Sequence, residues 1–491
     1  MASRLVDASH PLLGKTPRAL ATALVVLALP YAVPALSRYR VLSPPDEQER
    51  AAVAATNAPT VGEHALPATQ NVGGVTNALA EKPRVPTADE IARSEGSVSI
   101  EDDAHVMAPL YASLARTDRK DAGAITRILH YGDSIITADF VSGALRRMFQ
   151  ARFGDAGHGF ILTANPWEWY FHNDVTHWAS EGWSMSRITG PLSGDGMYGL
   201  GGVSFRTSAV ASAGFGTAEK GEFGRNVSRF VIHYLEQPYG GDVELRVAGR
   251  YSAFSTRGPE KKSKVHAVEV ADGGAQLVLK TRGSGEVRLF GVALERDTPG
   301  VVYDALGANG ARAKLWEPMS EPHWADQLEL RQPALIILQY GTNESEDSGL
   351  NAELYKRQLA ALIGKVRRAA KGASVLVMSP LDRAERTETR EIRTRKIIPA
   401  IVKMQQEVAK AEGVAFWNAF EAMGGAGAIA RWVRAEPQLA SWDLTHPTPA
   451  GAEQLATLFY RAVLAGYLAS SSEQAVRRAP PGPFPHGGHR T

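Results

Sequence analysis

Four short segments carry side chains that can do chemistry together: Tyr131-Gly132-Asp133-Ser134, Gly307-Ala308-Asn309-Gly310-Ala311, Gly341-Thr342-Asn343-Glu344 and Asp443-Leu444-Thr445-His446-Pro447. A serine hydroxyl becomes a nucleophile when an imidazole accepts its proton, and a carboxylate on the other ring nitrogen fixes the tautomer that can accept it. Asp443 stands three residues ahead of His446 and can reach that ring through a turn. The Ser134 amide, a glycine amide from the second segment and the Asn343 side chain are donors of the kind that hold a tetrahedral oxyanion. The chemistry these types allow is acyl transfer through serine. Each segment alone also has a plainer reading. Asp and Ser cap helices, Asn after a strand closes an Asx turn, and an Asp-x-x-His pair decorates many surfaces.

The elements that must position these residues follow from periodicity. Ile125 to Tyr131 reads as a strand broken by Gly132, and Thr137 to Phe153 as a helix with Phe140, Leu145 and Met148/Phe149 on one face. Leu335 to Tyr340 is a continuous apolar strand running into Gly341, followed by a helix carrying Leu354/Tyr355, Leu359, Leu362/Ile363 and Val366. Ser374 to Met378 and Val414 to Trp417 are further buried strands, with helices over Ile397 to Ala411 and Ala450 to Leu468. Strands alternating with helices predict a parallel sheet covered on both faces, and its carboxyl edge is where such sheets bind ligands. Between the first unit and the rest, Phe230 to Leu235, Asp242 to Val247, Val265 to Val270, Gln276 to Lys280 and Glu286 to Leu294 have strand lengths and Gly-rich turns, predicting an antiparallel sandwich.

The predicted organisation is an N-terminal membrane anchor or signal segment over 1–40, a disordered Pro/Ala-rich linker over 41–100, an α/β domain over 101–165 and 299–470, an inserted β-sandwich over 166–298, and a disordered tail over 471–491. Ala19 to Leu36 is an uncharged apolar run just long enough to span a bilayer, preceded by Arg4, Lys15 and Arg18. That charge pattern predicts export with the bulk outside, anchored in the cytoplasmic membrane unless the segment is cleaved. The formal charge of +2 provides no field for nucleic acid. With no cysteine there are no disulfides, thiolate metal sites or Cys nucleophile. Trp167, Trp169, Tyr170, Trp178 and Trp183 crowd one stretch and read more readily as core than as a sugar platform. His158, His172 and His177 show no metal-ligand spacing with nearby carboxylates, and Arg383 sits at the functional edge of the sheet.

In this order the four segments resemble the blocks of the SGNH (GDSL-type) hydrolase superfamily, from Ile128 to about Leu468. They are further similar to its peptidoglycan O-acetylesterase branch, in which a β domain resembling a carbohydrate-binding module interrupts the hydrolase fold. The stretch from Pro299 to Ala311 and the Gly341-Thr342-Asn343-Glu344 block match that branch, while Ile135-Ile136 depart from the Leu that commonly follows the serine. The resemblance implies a flavodoxin-like parallel sheet and a serine esterase acting on an O-acetylated envelope polysaccharide. Ser134 would be the nucleophile, His446 the base and then acid, and Asp443 its orienter. The Ser134 amide, the Gly310 amide (preferred to Gly307) and the Asn343 side chain would form the oxyanion hole, with no metal or organic cofactor required. An O-acyltransferase on the same glycan, or a tethered non-catalytic glycan-binding protein, are the other functions compatible with these features.

Overall fold

The computed structural model describes residues 98–478, with side chains to residue 470. The apolar run Ala19 to Leu36, the linker up to residue 97 and the tail beyond 478 lie outside the described residues. Among the described residues no helix is long and apolar enough to cross a membrane.

Five parallel strands form the central sheet: β1 (Ile125–Gly132), β2 (Gly300–Gly307), β3 (Leu335–Gln339), β4 (Ser374–Met378) and β5 (Ala415–Trp417). Their spatial order is β2-β1-β3-β4-β5, with every pairing parallel. This is the doubly wound order whose direction reverses between β1 and β3, so loops leaving those two strands open a crevice at the carboxyl edge. The strands are buried on both faces because neighbouring side chains point to opposite sides. Ile128, Leu335, Ile337 and Leu376 face a core closed by α1 (Ala108–Asp118), α2 (Phe140–Phe153) and the last helix. Leu129, Ile336, Leu338, Val375 and Val377 face α3 (Glu321–Arg331), α4 (Ala352–Ala369) and α5 (Ile397–Glu412).

Two differences from the sequence reading concern boundaries. The last helix, α6, runs Pro449–Arg478, into the 471–491 segment expected as a disordered tail. The helix expected over Thr137 to Phe153 is two pieces, a turn at Ser134–Thr137 and α2. The chain reverses at Asp139, whose φ of 52° is left-handed. Its carboxylate holds the reversal by accepting from Ser142 Oγ at 2.7 Å, Arg146 Nη2 at 2.6 Å and the Asn173 amide at 2.9 Å.

The inserted region is two antiparallel sheets. One orders Lys262–Gly273, Val227–Glu236, Val287–Glu295, Val203–Thr207 and Ser184–Arg187, with Gly159–Leu162 also paired to Val287–Glu295. The other orders Val175–Ala179, Ser212–Thr217, Gln276–Thr281, Asp242–Val247 and Arg250–Ser255. Phe230, Ile232, Val292 and Leu294 point into the sandwich, while Leu235, Phe290 and Ala293 join the core shared with α3 and the central sheet. The first sheet is therefore a wall common to both units.

Gly159–Leu162, ahead of the boundary expected at 166, pairs with Val287–Glu295 of the first sheet. Gly159–Leu162 is only four residues and buried throughout, so it shows no alternation by which to read it. The seam also holds buried charge. Glu295 accepts from Arg127 at 2.9 Å and Arg229 at 2.8 Å and is bound by Arg331, which also grips Asp304 at 2.6 Å. Burial alone would raise the Glu295 carboxyl, but the surrounding guanidiniums hold it well below the usual range.

Candidate active site

Strand β1 delivers Gly132 to the carboxyl edge, and Asp133 then caps the turn Ser134–Thr137, its Oδ1 accepting the Ile135 amide at 3.0 Å. The capping function thus falls to Asp133, leaving the Ser134 hydroxyl for another partner. A single turn also supplies little helix dipole. Gly307 explains how β2 approaches so closely: a Cβ there would sit 2.3 Å from the Thr137 nitrogen. Gly310 differs, with φ at +74° and open space about it.

Ser134 Oγ lies 2.8 Å from His446 Nε2, although the two are 312 residues apart in sequence. His446 Nδ1 lies 2.6 Å from Asp443 Oδ2. A carboxylate only accepts, so Nδ1 carries the hydrogen and Nε2 presents a lone pair to the serine. Asp443 Oδ1 accepts the amides of Thr445 and His446, each at 3.0 Å. The tight turn needed for a carboxylate to meet a ring three residues on is made at Leu444, left-handed at φ 62°, a conformation costing an L-residue about 1–2 kcal/mol. Leu444 is buried in the core, and its carbonyl accepts the Ala384 amide at 3.1 Å. Those contacts over-determine the turn.

Charge in the relay is tuned in opposite directions. Burial alone would raise the Asp443 carboxyl, but hydrogen bonds from the His446 ring and from two amides bring it down to about 2. The hydrogen bond to Asp443 raises His446 against the opposing effect of burial. Asp443 is therefore ionised at neutral pH, and the imidazole is made a stronger base.

Three loops gather beside the serine. The Ala308 amide donates to the Gly132 carbonyl at 3.0 Å, and Asn343 Nδ2 donates to the Ala311 carbonyl at 3.0 Å, leaving its second amide hydrogen for another acceptor. Glu344 ties the second and third segments together, Oε1 accepting from the Ala313 amide at 2.9 Å and Oε2 from the Gly341 amide at 3.0 Å. Burial, with Asp133 nearby, pushes this carboxyl up to about 7 despite those amides.

Arg383 ties the third segment to the fourth. Its Nη1 donates to the Thr342 carbonyl at 2.9 Å and Ser345 Oγ at 3.0 Å, Nη2 to Glu346 at 2.8 Å, and Nε to Thr445 Oγ1 at 3.1 Å. The sequence places Arg383 at the functional edge of the sheet. Arg383 is a positioning residue joining the Asn343 loop to the histidine loop. No local pattern signals this, because all its partners are distant in sequence.

A family model for the GDSL-like lipase/acylhydrolase family matches residues 271–454. The chain contains a GDSL-like acylhydrolase domain. The match spans Gly310, Asn343, Asp443 and His446 but starts inside the insert, which separates the Ser134 turn from the rest of the domain. The matched domain is of a family of carboxylic ester hydrolases.

A solved structure titled as a peptidoglycan O-acetylesterase in action is similar in fold, with TM-score 0.60, 22% identity, and coverage of 77% of this chain and 99% of that one. A family two carbohydrate esterase from Cellvibrio japonicus overlaps only at TM-score 0.25 and 10% identity, covering 63% of this chain and 98% of its own. A putative GDSL-like lipase from Parabacteroides merdae overlaps at TM-score 0.26 and 17% identity, covering 34% of this chain and 74% of its own. No curated protein matches the chain in sequence.

The remaining candidates divide. Asp139, His158 and His172 come within metal-ligand distance of one another, a grouping their sequence spacing did not suggest. His158 Nε2 lies 2.9 Å from His172 Nδ1, and Asp139 is bound by the Arg146 guanidinium, which supplies a cation there, while His158 Nδ1 is buried without a partner. Burial lowers both imidazoles. Within the acylhydrolase insert, Tyr170 is core, Trp167 and Trp183 are half-buried, and Trp178 lies over Gly214, where a Cβ would meet the indole at 2.2 Å. Trp169 is exposed.

Proposed function

We propose that this chain is an exported serine esterase that removes O-acetyl groups from peptidoglycan through an acyl-serine intermediate. The observation that carries the reading is the unbroken relay Ser134 Oγ to His446 to Asp443, at 2.8 Å and 2.6 Å. In the first half-reaction Ser134 Oγ attacks the acetyl carbonyl carbon while His446 Nε2 takes its proton, and Asp443 stabilises the imidazolium. Charge gathering on the carbonyl oxygen is met by the Ser134 amide, the Gly310 amide and the free Asn343 hydrogen. One such donor is commonly worth roughly 3–4 kcal/mol of barrier. The C–O bond to the sugar then breaks and His446 gives the leaving alkoxide the proton. Water repeats the sequence on the acetyl-serine, releasing acetate and restoring Ser134.

Support for the substrate comes from the similarity in fold to a protein described as a peptidoglycan O-acetylesterase. The N-terminal apolar run Ala19 to Leu36 supports an envelope location. The test is direct. Purified protein hydrolyses p-nitrophenyl acetate and releases acetate from O-acetylated peptidoglycan, followed by mass spectrometry, and both activities disappear in Ser134→Ala. Wild-type turnover in that variant refutes the nucleophile, whereas ester turnover with the peptidoglycan acetyl content untouched refutes the substrate.

A further inference from the structure

Of the nine tryptophans, two are left largely in water: Trp169 at 63% exposure and Trp442 at 62%. Both belong to segments joined to the relay. Trp442 immediately precedes Asp443 in the chain. Trp169 stands beside Phe171, itself exposed, with ring centroids 6.2 Å apart and edge to face. The Phe171 amide donates at 3.2 Å to the carbonyl of Thr137, which closes the turn that Ser134 opens. An indole hides roughly 150–250 Å² when buried, at about 25 cal/mol per Å² of apolar surface. The other seven indoles are at least half-buried, so among the tryptophans that gain is forgone only at these two, each on a segment joined to the relay.

The surroundings indicate what covers these rings. Both stand next to charged groups. Trp442 is flanked by Asp443, with the Arg386 guanidinium 6.0 Å from its ring centroid, and Trp169 is preceded by exposed Glu168. Isolated aromatic faces set among charged and hydrogen-bonding groups complement a sugar ring, which has an apolar C–H face and a hydroxyl rim.

We infer that Trp442, on the His446 side, and the Trp169–Phe171 pair, on the Thr137 side, are stacking platforms that lay a β-1,4-linked glycan strand across Ser134. This rests on the reading that the ester is carried by a glycan. It assigns substrate recognition to the rim of the catalytic crevice, using residues that neither react nor orient a reacting group.

The full chain carrying Ser134→Ala, which binds without turnover, is titrated calorimetrically with the N-acetylglucosamine hexamer. The same titration is run with Trp442→Ala, Trp169→Ala or Trp442→Phe added. Each alanine variant is expected to weaken binding tenfold or more, and phenylalanine to restore most of the loss at its position, since a flat apolar face is what the site supplies. Equal affinity in the alanine variants overturns the inference, as does failure of the hexamer to bind any of the proteins. The hexamer carries no O-acetyl ester, so the result does not depend on catalysis. Failure of the esterase reading appears separately, as undiminished acetyl content in peptidoglycan incubated with the wild-type protein.

Discussion

Ser134 follows a strand buried along most of its length and is fixed by backbone: the Asp133 cap, the close approach of Gly307, and the Ala308 amide on the Gly132 carbonyl. His446 and Asp443, with side chains 41% and 49% exposed, stand on a loop ahead of α6. That loop is held by a buried Leu444, a few amides and one long side chain from Arg383. One side of the relay is rigid because the sheet makes it so, and the other because specific side chains hold it. Losses on the serine side should therefore fall on folding as well as rate. Losses on the histidine side should fall on rate with little change in stability.

Asp443→Asn is the largest test of this contrast. An Asn can present its NH2 to the ring, so Nδ1 no longer needs to carry the hydrogen and Nε2 loses its role as acceptor. A loss in kcat of about 10⁴-fold follows from the wrong tautomer, with KM changing far less. The hydrogen bond that His446 donates to Asp443 is the main cause raising His446, so in the variant the acid limb of kcat/KM moves to lower pH. Thermal melting should scarcely move. A melting temperature that drops along with the rate would mean that the exposed loop bears on the fold as heavily as the serine turn does.

A test of intermediate size addresses what holds the loop. Arg383→Lys retains the charge but replaces a fixed fork with a single ammonium, which cannot satisfy acceptors on both loops at once. The expected result is a loss in kcat of about tenfold to a hundredfold at nearly constant KM, with the acid limb unmoved. Arg383→Met removes the charge as well. Asp443 and Asp133 face His446 and raise it, and Arg383 is the cation opposing them, so here the acid limb shifts to higher pH. A merely structural arginine would lower the melting temperature in both variants and leave both pH profiles where they were.

How much of this was legible in the sequence follows the same division. Strands β3 and β4 read correctly because fully buried parallel strands are continuous apolar runs, and Asp242–Val247 because it alternates. Strand β2 was noticed only within the Pro299 to Ala311 stretch that matches the family branch, and Gly159–Leu162, Ser184–Arg187 and Ser212–Thr217 were not read as strands. Each of these three is short or glycine-bearing and owes its conformation to the strand beside it. The residues of the relay were legible because their types are demanded by chemistry and Asp443 and His446 are neighbours in the chain. Arg383 and Glu344 were not given their roles, because a clamp is defined by what it touches, and their partners lie on loops brought together only by folding. Trp169 was assigned with its neighbours to the core, since composition cannot separate it from Tyr170 one residue later, which is buried.

Glu344 should show the smallest effect on rate and sharpens the contrast from the rigid side. Its carboxyl is pushed up to about 7 by burial, whereas an unfolded glutamate titrates near 4.3. The folded protein therefore binds more protons than the unfolded chain between those values. Where the native state holds the excess proton, stability falls as pH rises. Wild type should accordingly lose stability from about pH 4.5 to pH 7. Each unit of pKa displacement is equivalent to about 1.4 kcal/mol, so the total approaches a few kcal/mol. Glu344→Gln cannot ionise and should lack this component of the slope, whatever its absolute stability, while His446 titrates alike in both proteins and cancels from the difference. Urea unfolding of the two proteins at closely spaced pH values measures it. Parallel stability curves would mean that the two amides from Ala313 and Gly341 suffice to hold Glu344 ionised, and that the clamp between the second and third loops is a charged one throughout.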